Sequence, residues 1–203
     1  MGYKVIKLKD IYISMGEPKT KEILKSYKCE INKDVEYFIK EKAIEFAKQG
    51  IAETFIVTSE YKQKDVIVGY FATTNKAINI KNLSLSKTKK KRILKFAQYD
   101  NVFKSYNIAL PLIGQIGKNY NNGYNELISG DVLLKLACDK IKTAQDVLGG
   151  RFVYLECEDK SELKEFYERN GFVCFGKRNL EKDERQKNEG EYLLQMLCDL
   201  SKN

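Results

Sequence analysis

The apolar positions along the chain change their period several times, and each change predicts an element. The opening "YKVIKLKDI" alternates apolar and polar residues, as a strand with one buried face does. In "INKDVEYFIKEKAIEFAKQG", Val35, Phe38, Ile39, Ala43, Phe46 and Ala47 fall on one helical face, and Gly50 ends the run. "TFIVTSE" and "DVIVGYFATT" are β-branched and aromatic and flank the polar "YKQK", which predicts an antiparallel hairpin with a loop of a few residues. Residues 76–107 hold only scattered apolar positions of helical spacing, Ile93, Phe96 and Ala97, and read as an insertion or long connection. "ALPLIGQIG" is an apolar run with two glycines, hence a buried strand that another group approaches closely.

After a long polar loop, Leu133, Leu136, Ala137, Ile141 and Ala144 form one stripe along a helix that Gly149 and Gly150 end. "RFVYLEC" is a strand. "DKSELKEFYERNGF" predicts a short helix, with Asp159 three residues ahead of Glu162 as a capping-box-like start and Asn170-Gly171 as its close. "FVCFGKR" and "EYLLQMLCDL" form two last strands around the charged loop "NLEKDERQKNEG". Helices alternate with strands only in the middle of this order. The pattern therefore predicts an α+β fold with a mixed sheet, and the length suits a single domain over residues 1–203.

Composition narrows the chemistry. The 203 residues include 36 Lys+Arg against 28 Asp+Glu, a formal charge of +8, and 43% are hydrophobic, enough for a core and unlike a disordered chain. A basic excess suits a nucleic acid or an anionic cofactor, and it equally suits plain solubility. No apolar run approaches the roughly 18 residues of a membrane span, and the start lacks the apolar core of a signal peptide. The cysteines, Cys29, Cys138, Cys157, Cys174 and Cys198, are widely spaced and odd in number, which argues against a disulfide framework or a zinc cluster and for a reducing cytoplasm. The chain has no histidine. Imidazole bases, Ser–His and Cys–His pairs and the commonest metal ligand are thereby excluded, so catalysis must run on tyrosine, carboxylates, main chain or water, and no metal is expected.

One junction has the form of an anion site. "GQIGKNYNNGYNELISGDVLL" runs from strand to loop to helix, with Ser129, Gly130 and Asp131 in the first helical turn, where unpaired N–H groups and the positive end of the helix dipole converge. An ordinary helix start capped by Ser129 explains the same residues. Asp131 opposes a phosphate there, although a carboxylate at that end also favours the helix.

The elements and residues together resemble the GNAT acetyltransferase superfamily. "ELKEFYERNGF", Glu162 to Phe172, looks like its late helix, L-x-x-F-Y-x-x-x-G-F; "IGQIGK" looks like its central strand; "SGDVLLKLA" looks like the start of the helix that receives the cofactor pyrophosphate. Upstream, "YKCEINKDVEYFIKEKA" and "TFIVTSEYKQKDVIVGYFATT" are similar to the branch that includes tRNA-acetylating toxins. The resemblance covers residues 20–178. It departs from the family at the pyrophosphate loop, usually [QR]-x-x-G-x-[GA], where Asn125 to Gly130 keep only the last glycine.

The resemblance implies a mixed, mostly antiparallel sheet with a central splayed strand pair flanked by helices. It implies acetyl-CoA as cofactor and direct acetyl transfer to a primary amine, with aminoacyl-tRNA, protein and small molecule all open as acceptor. Tyr167 would face the thioester sulfur beside Phe166. Ile116, Gly117 and Lys118 would meet the cofactor from the strand, and Leu127, Ile128, Ser129, Gly130 and Asp131 from the helix start. A tRNA, a homodimeric second copy and an antitoxin-like protein are the partners it leaves open. The competing reading is a binding module that keeps the fold without catalysis.

Physical chemistry assigns roles within that frame. When an amine attacks a thioester, negative charge builds on the carbonyl oxygen and then on the sulfur. Main-chain N–H groups at Ile116 or Gly117 suit the oxygen. A phenol titrates near 10, so Tyr167 stays protonated at neutral pH and can donate as the thiolate forms; packing beside Phe166 is its plainer role. Glu156, near the end of its strand, is a candidate base and equally a structural carboxylate, while water can also take the proton. Tyr120 and Tyr124 are loosely placed as substrate contacts. Cys138 and Cys157 read as core residues. The run Lys87, Lys89, Lys90, Lys91, Arg92 and Lys95 is a candidate RNA contact or a solvated face.

Overall fold

The first strand ends sooner than its alternation suggests. In the computed structural model, which describes residues 2–80, 85–181 and 190–202, β1 spans Tyr3–Lys7 and helix α1 spans Leu8–Met15. Leu8 is fully buried at the start of that helix, so "LKDI" turns the chain toward a core instead of extending a sheet. α2 (Glu17–Lys25) follows Gly16, whose φ of 79° breaks the helix, and carries Pro18 in its first turn, where the missing N–H costs nothing.

The helix predicted within residues 31–50 forms in three parts: α3 (Lys33–Tyr37), a π turn (Phe38–Lys42) and α4 (Ala43–Gln49). The reason lies in the spacing. Val35, Ile39, Ala43 and Ala47 are all buried and recur at every fourth position. At 3.6 residues per turn such a row drifts off its face, and one wide turn takes up the extra residue. Asn32 caps the start, its Oδ1 accepting from the Asp34 and Val35 N–H groups at 3.0 and 3.2 Å. Gly50, with φ 69°, closes the end.

β2 (Glu53–Tyr61) and β3 (Lys64–Ile80) form the predicted hairpin. Its turn is Lys62-Gln63, both at positive φ, 49° and 62°, the mirror-image geometry whose twist matches the strands. β3 runs on through residues 76–80, which were expected in a connection, because Ile78 and Ile80 are buried there. The remainder of that stretch also has structure, apart from residues 81–84, which lie outside the described residues. The basic run is a helix, α5 (Lys87–Leu94), with exposed cations around buried Ile93. β4 (Gln98–Asp100) then pairs with the start of β5 (Ser105–Lys118).

The polar loop contains a 3-10 segment, Asn121–Leu127, and leads to α6 (Gly130–Leu148). Leu133, Ala137 and Ile141 are buried as the stripe requires, but Ala144 is exposed. Gln145 is buried in its stead and donates to the Phe152 carbonyl at 2.7 Å. β6 (Phe152–Glu158), α7 (Ser161–Arg169), β7 (Phe172–Asn179) and β8 (Tyr192–Asp199) complete the order. α7 starts one residue too late for the expected capping box. Lys160 holds the cap position, and the Asp159 carboxylate accepts from the Tyr192 hydroxyl at 2.6 Å. Of the charged loop over residues 179–190, residues 182–189 lie outside the described residues.

The strands follow the order β1-β2-β3-β5-β6-β8-β7, with β4 beside β5. The sheet is mixed and mostly antiparallel, as expected. β5 and β6 run parallel, and their ladder is the single pair Leu112 with Tyr154. The chain forms two compact units. The first contains Met1–Thr74 and Ile113–Lys140 and has a core of Leu8, Leu24, Tyr27, Val35, Ile39, Ile56 and Tyr70. The second contains Asn75–Leu112 and Ile141–Asn203, and its core includes Ile78, Ile93, Leu110, Phe152, Tyr154, Phe175 and Leu197.

Candidate active site

In the first unit the end of β5 explains both of its neighbouring glycines. A methyl group on Gly117 would lie 2.5 Å from Val35 Cγ1 and 2.7 Å from the Tyr27 hydroxyl, so only glycine admits α3 and the Tyr27 side chain against the strand. A methyl on Gly69 of β3 would lie 2.9 Å from the Gly117 carbonyl oxygen and 3.1 Å from Leu133 Cδ2. The close approach predicted at "IGQIG" is therefore made by Tyr27 and Val35. Ile116, Gly117 and Lys118 are half-buried. The Lys118 carbonyl accepts from the Tyr27 hydroxyl at 3.0 Å, and its ammonium donates to the Asn125 carbonyl at 3.1 Å.

The start of α6 is capped by Ser129, whose Oγ accepts from the Val132 N–H at 3.2 Å and whose carbonyl accepts from Leu133 at 3.1 Å. Just before it, Ile128 is buried, and the Leu127 carbonyl accepts from the Tyr3 hydroxyl at 2.8 Å. Gly130 and Asp131 are half-buried. The Ser129 cap occupies the Val132 and Leu133 N–H groups of the first turn, as an ordinary helix start does, and Asp131 carries a charge there that opposes an anion. Tyr120 is half-buried against the first core, and burial raises its phenol above the ordinary value. Tyr124 packs edge-on to Tyr61 with centroids 5.7 Å apart.

In the second unit Tyr167 lies in α7 with its ring edge-on to Phe166 at 5.0 Å and to Phe172 at 5.7 Å. It is 7% exposed, and among the described residues its hydroxyl has no hydrogen-bond partner. Burial, with Cys157 nearby, pushes the phenol above its ordinary value, so it holds its proton across the neutral range. Burial likewise pushes the Cys157 thiol up, to about 12, which leaves it a poor nucleophile.

Glu156 has the opposite character. Both carboxylate oxygens accept from Arg178, at 2.8 Å each, and from the Lys76 ammonium at 3.1 and 3.2 Å. The Tyr154 hydroxyl also donates to it, and Gln195 Nε2 donates to that hydroxyl at 2.9 Å. Burial alone would raise this carboxyl, but Arg178, Tyr154 and Lys76 outweigh it and hold the group below the ordinary carboxylate range. So held, it is a weak proton acceptor.

Sheet geometry also keeps the two apart. Phe172 and Val153 both stand opposite Cys198 of β8, so the three share a face, and Tyr167 packs on Phe172. Along β6 the side chains alternate, which puts Val153, Leu155 and Cys157 on that face and Tyr154 and Glu156 on the other. Tyr167 and Phe166 are brought together; Tyr167 and Glu156 are not. Lys76 and Arg178, which hold Glu156, Gln195, which holds the Tyr154 hydroxyl, and Tyr27 and Asn119, which hold the end of β5, carry no local signal in the sequence, because each acts on a residue distant in the chain.

No protein-family model matches the chain, and no curated protein matches it. Among solved structures, a mutant of KacT matches over 96% of this chain and 94% of its own, at 14% identity and a TM-score of 0.63. AtaT complexed with acetyl-methionyl-tRNAfMet matches over 96% and 94%, at 15% identity and a TM-score of 0.63. A mutant AtaT toxin bound to the C-terminus of the antitoxin AtaR and to acetyl-CoA matches over 98% and 94%, at 13% identity and a TM-score of 0.57. At these identities the likeness establishes the fold, and that fold is the GNAT fold.

Proposed function

We propose that this chain is an acetyl-CoA-dependent N-acetyltransferase that moves the acetyl group directly to a primary amine. The observation that carries the reading is Tyr167, a buried phenol whose hydroxyl lacks a partner among the described residues. The hydroxyl is not among the sealed, unbonded atoms of the described residues, so it is open to solvent and can donate to a ligand atom. A fold shared with an acetyl-CoA-bound toxin supports a thioester sulfur as that atom.

In this reading the amine nitrogen forms a bond to the carbonyl carbon, the bond from that carbon to sulfur breaks, and the ammonium proton leaves to water. Tyr167 donates to the departing sulfur and is re-protonated from solvent. Ile116, Gly117 and Lys118, and Leu127, Ile128, Ser129, Gly130 and Asp131, contribute main-chain contacts to the cofactor, and Phe166 buttresses the tyrosine ring. Glu156 is assigned to holding its strand, given its engaged oxygens. The α-amine of an aminoacyl-tRNA is the acceptor favoured among primary amines. Its support is the exposed cations of α5 and the fold likeness to AtaT, solved with acetyl-methionyl-tRNAfMet. The same likeness supports an antitoxin-like protein partner. Five cysteines, none in a disulfide, suit a cytoplasmic setting.

Titration calorimetry with acetyl-CoA tests this reading. Saturable binding below about 1 mM is expected, within the usual range of substrate affinities. Absence of heat at millimolar cofactor would instead support a binding module without catalysis, the reading that the altered loop over Asn125 to Gly130 favours.

A further inference from the structure

The end of β5 is fastened by a buried amide side chain. Asn119 follows Lys118 directly and is fully buried. Its Oδ1 accepts from the Lys28 and Asn121 N–H groups, both at 3.0 Å, and its Nδ2 donates to the Ile67 carbonyl at 2.7 Å. Its own N–H donates to the Val68 carbonyl at 2.8 Å, and the next N–H, of Tyr120, donates to Lys28 at 2.8 Å.

These partners belong to separate stretches of the first unit. Lys28 lies in the loop between α2 and α3. Ile67 pairs with Thr58 and Gly69 with Val57, so Val68 is the extra residue of a bulge in the hairpin. Asn121 opens the segment that leads to α6. The groups proposed for the cofactor therefore flank one side chain, Ile116 to Lys118 before it and Leu127 to Asp131 after it. The Tyr27 hydroxyl, on the Lys118 carbonyl, is a second and simpler tie to the same strand end.

An amide is needed for this. It offers an acceptor with two lone pairs and a donor on one short stem, and an ionised carboxylate lacks the donor. A protonated carboxyl regains it.

We infer that Asn119 is a positioning residue for acetyl-CoA, setting the β5 end and the approach to α6 in the register that receives the cofactor. The inference rests on the acetyltransferase reading above. It does not make Asn119 a contact of the substrate.

Asn119→Asp tests it, because the introduced carboxyl mimics the amide only while protonated, and a buried carboxyl ionises above its ordinary value. The parent has no histidine, and any titration of the cofactor's own phosphate affects both proteins alike, so the ratio of their affinities isolates the introduced carboxyl. At pH 8 the variant should bind acetyl-CoA roughly tenfold more weakly than the parent, the size expected when a buried bonded group loses its partner. The ratio of the two affinities should close toward one at pH 5, with kcat at saturating cofactor unchanged. Equal affinities at pH 8, or a deficit independent of pH, would overturn the inference. Should the variant not fold at pH 8, Tyr27→Phe decides: weaker acetyl-CoA binding by a folded protein supports the inference, and unchanged binding overturns it. A parent that binds no acetyl-CoA removes the transferase reading itself, and this inference with it.

Discussion

The two side chains that the sequence offers for catalysis meet different fates at the level of single residues. Tyr167 keeps its proton and has a hydroxyl without a partner among the described residues, whereas Glu156 is enclosed by cations. Glu156 should matter for stability. At pH 7, Glu156→Gln should lower the unfolding free energy by about 3 kcal/mol, since it leaves Arg178 and Lys76 without their counter-charge, and urea denaturation measures this. The sign of its pH dependence follows from a folded value below the unfolded one, near 4.5. The contribution is complete above the unfolded value and is lost as pH falls through the folded one, so the gap between parent and variant should narrow below about pH 4.5. A gap that stays constant down to pH 3 would refute the assignment. Tyr167 was legible because its motif is local, eleven residues in one helix and turn. The holders of Glu156 were not, since Lys76 is 80 positions away and Arg178 is 22. Nothing local marks such pairs.

Elements were legible where one period dominates and obscure where two compete. The stripe of α6 gave that helix, while "YKVIKLKDI" alternates past the point where burial of Leu8 begins a helix. Residues 76–107 hid the end of β3, all of β4, the start of β5 and a helix because each piece there is short or half-exposed, and the lysines of α5 mask its one buried position, Ile93. The β2–β3 hairpin shows what sequence pattern alone misses in a turn. Lys62 and Gln63 both adopt left-handed conformations without being glycine or asparagine, and such a conformation costs a side-chain-bearing residue about 1 kcal/mol. Gln63→Gly should therefore stabilise the protein by about 1 kcal/mol, read as a higher urea midpoint at unchanged slope. A lower midpoint would show that the glutamine side chain supports the turn.

For the whole molecule, the order of elements, the mixed sheet and the likeness to KacT and AtaT agree on the GNAT fold. Without histidine, the chain leaves tyrosine as its natural donor near neutral pH. The account therefore turns on one oxygen atom. Single-turnover transfer from saturating acetyl-CoA by the parent and by Tyr167→Phe tests it most directly, with cofactor affinity measured alongside. Loss of the hydroxyl should slow transfer by roughly 10²-fold while leaving acetyl-CoA affinity unchanged. An equal rate in both proteins would contradict the account and leave Tyr167 as a packing residue.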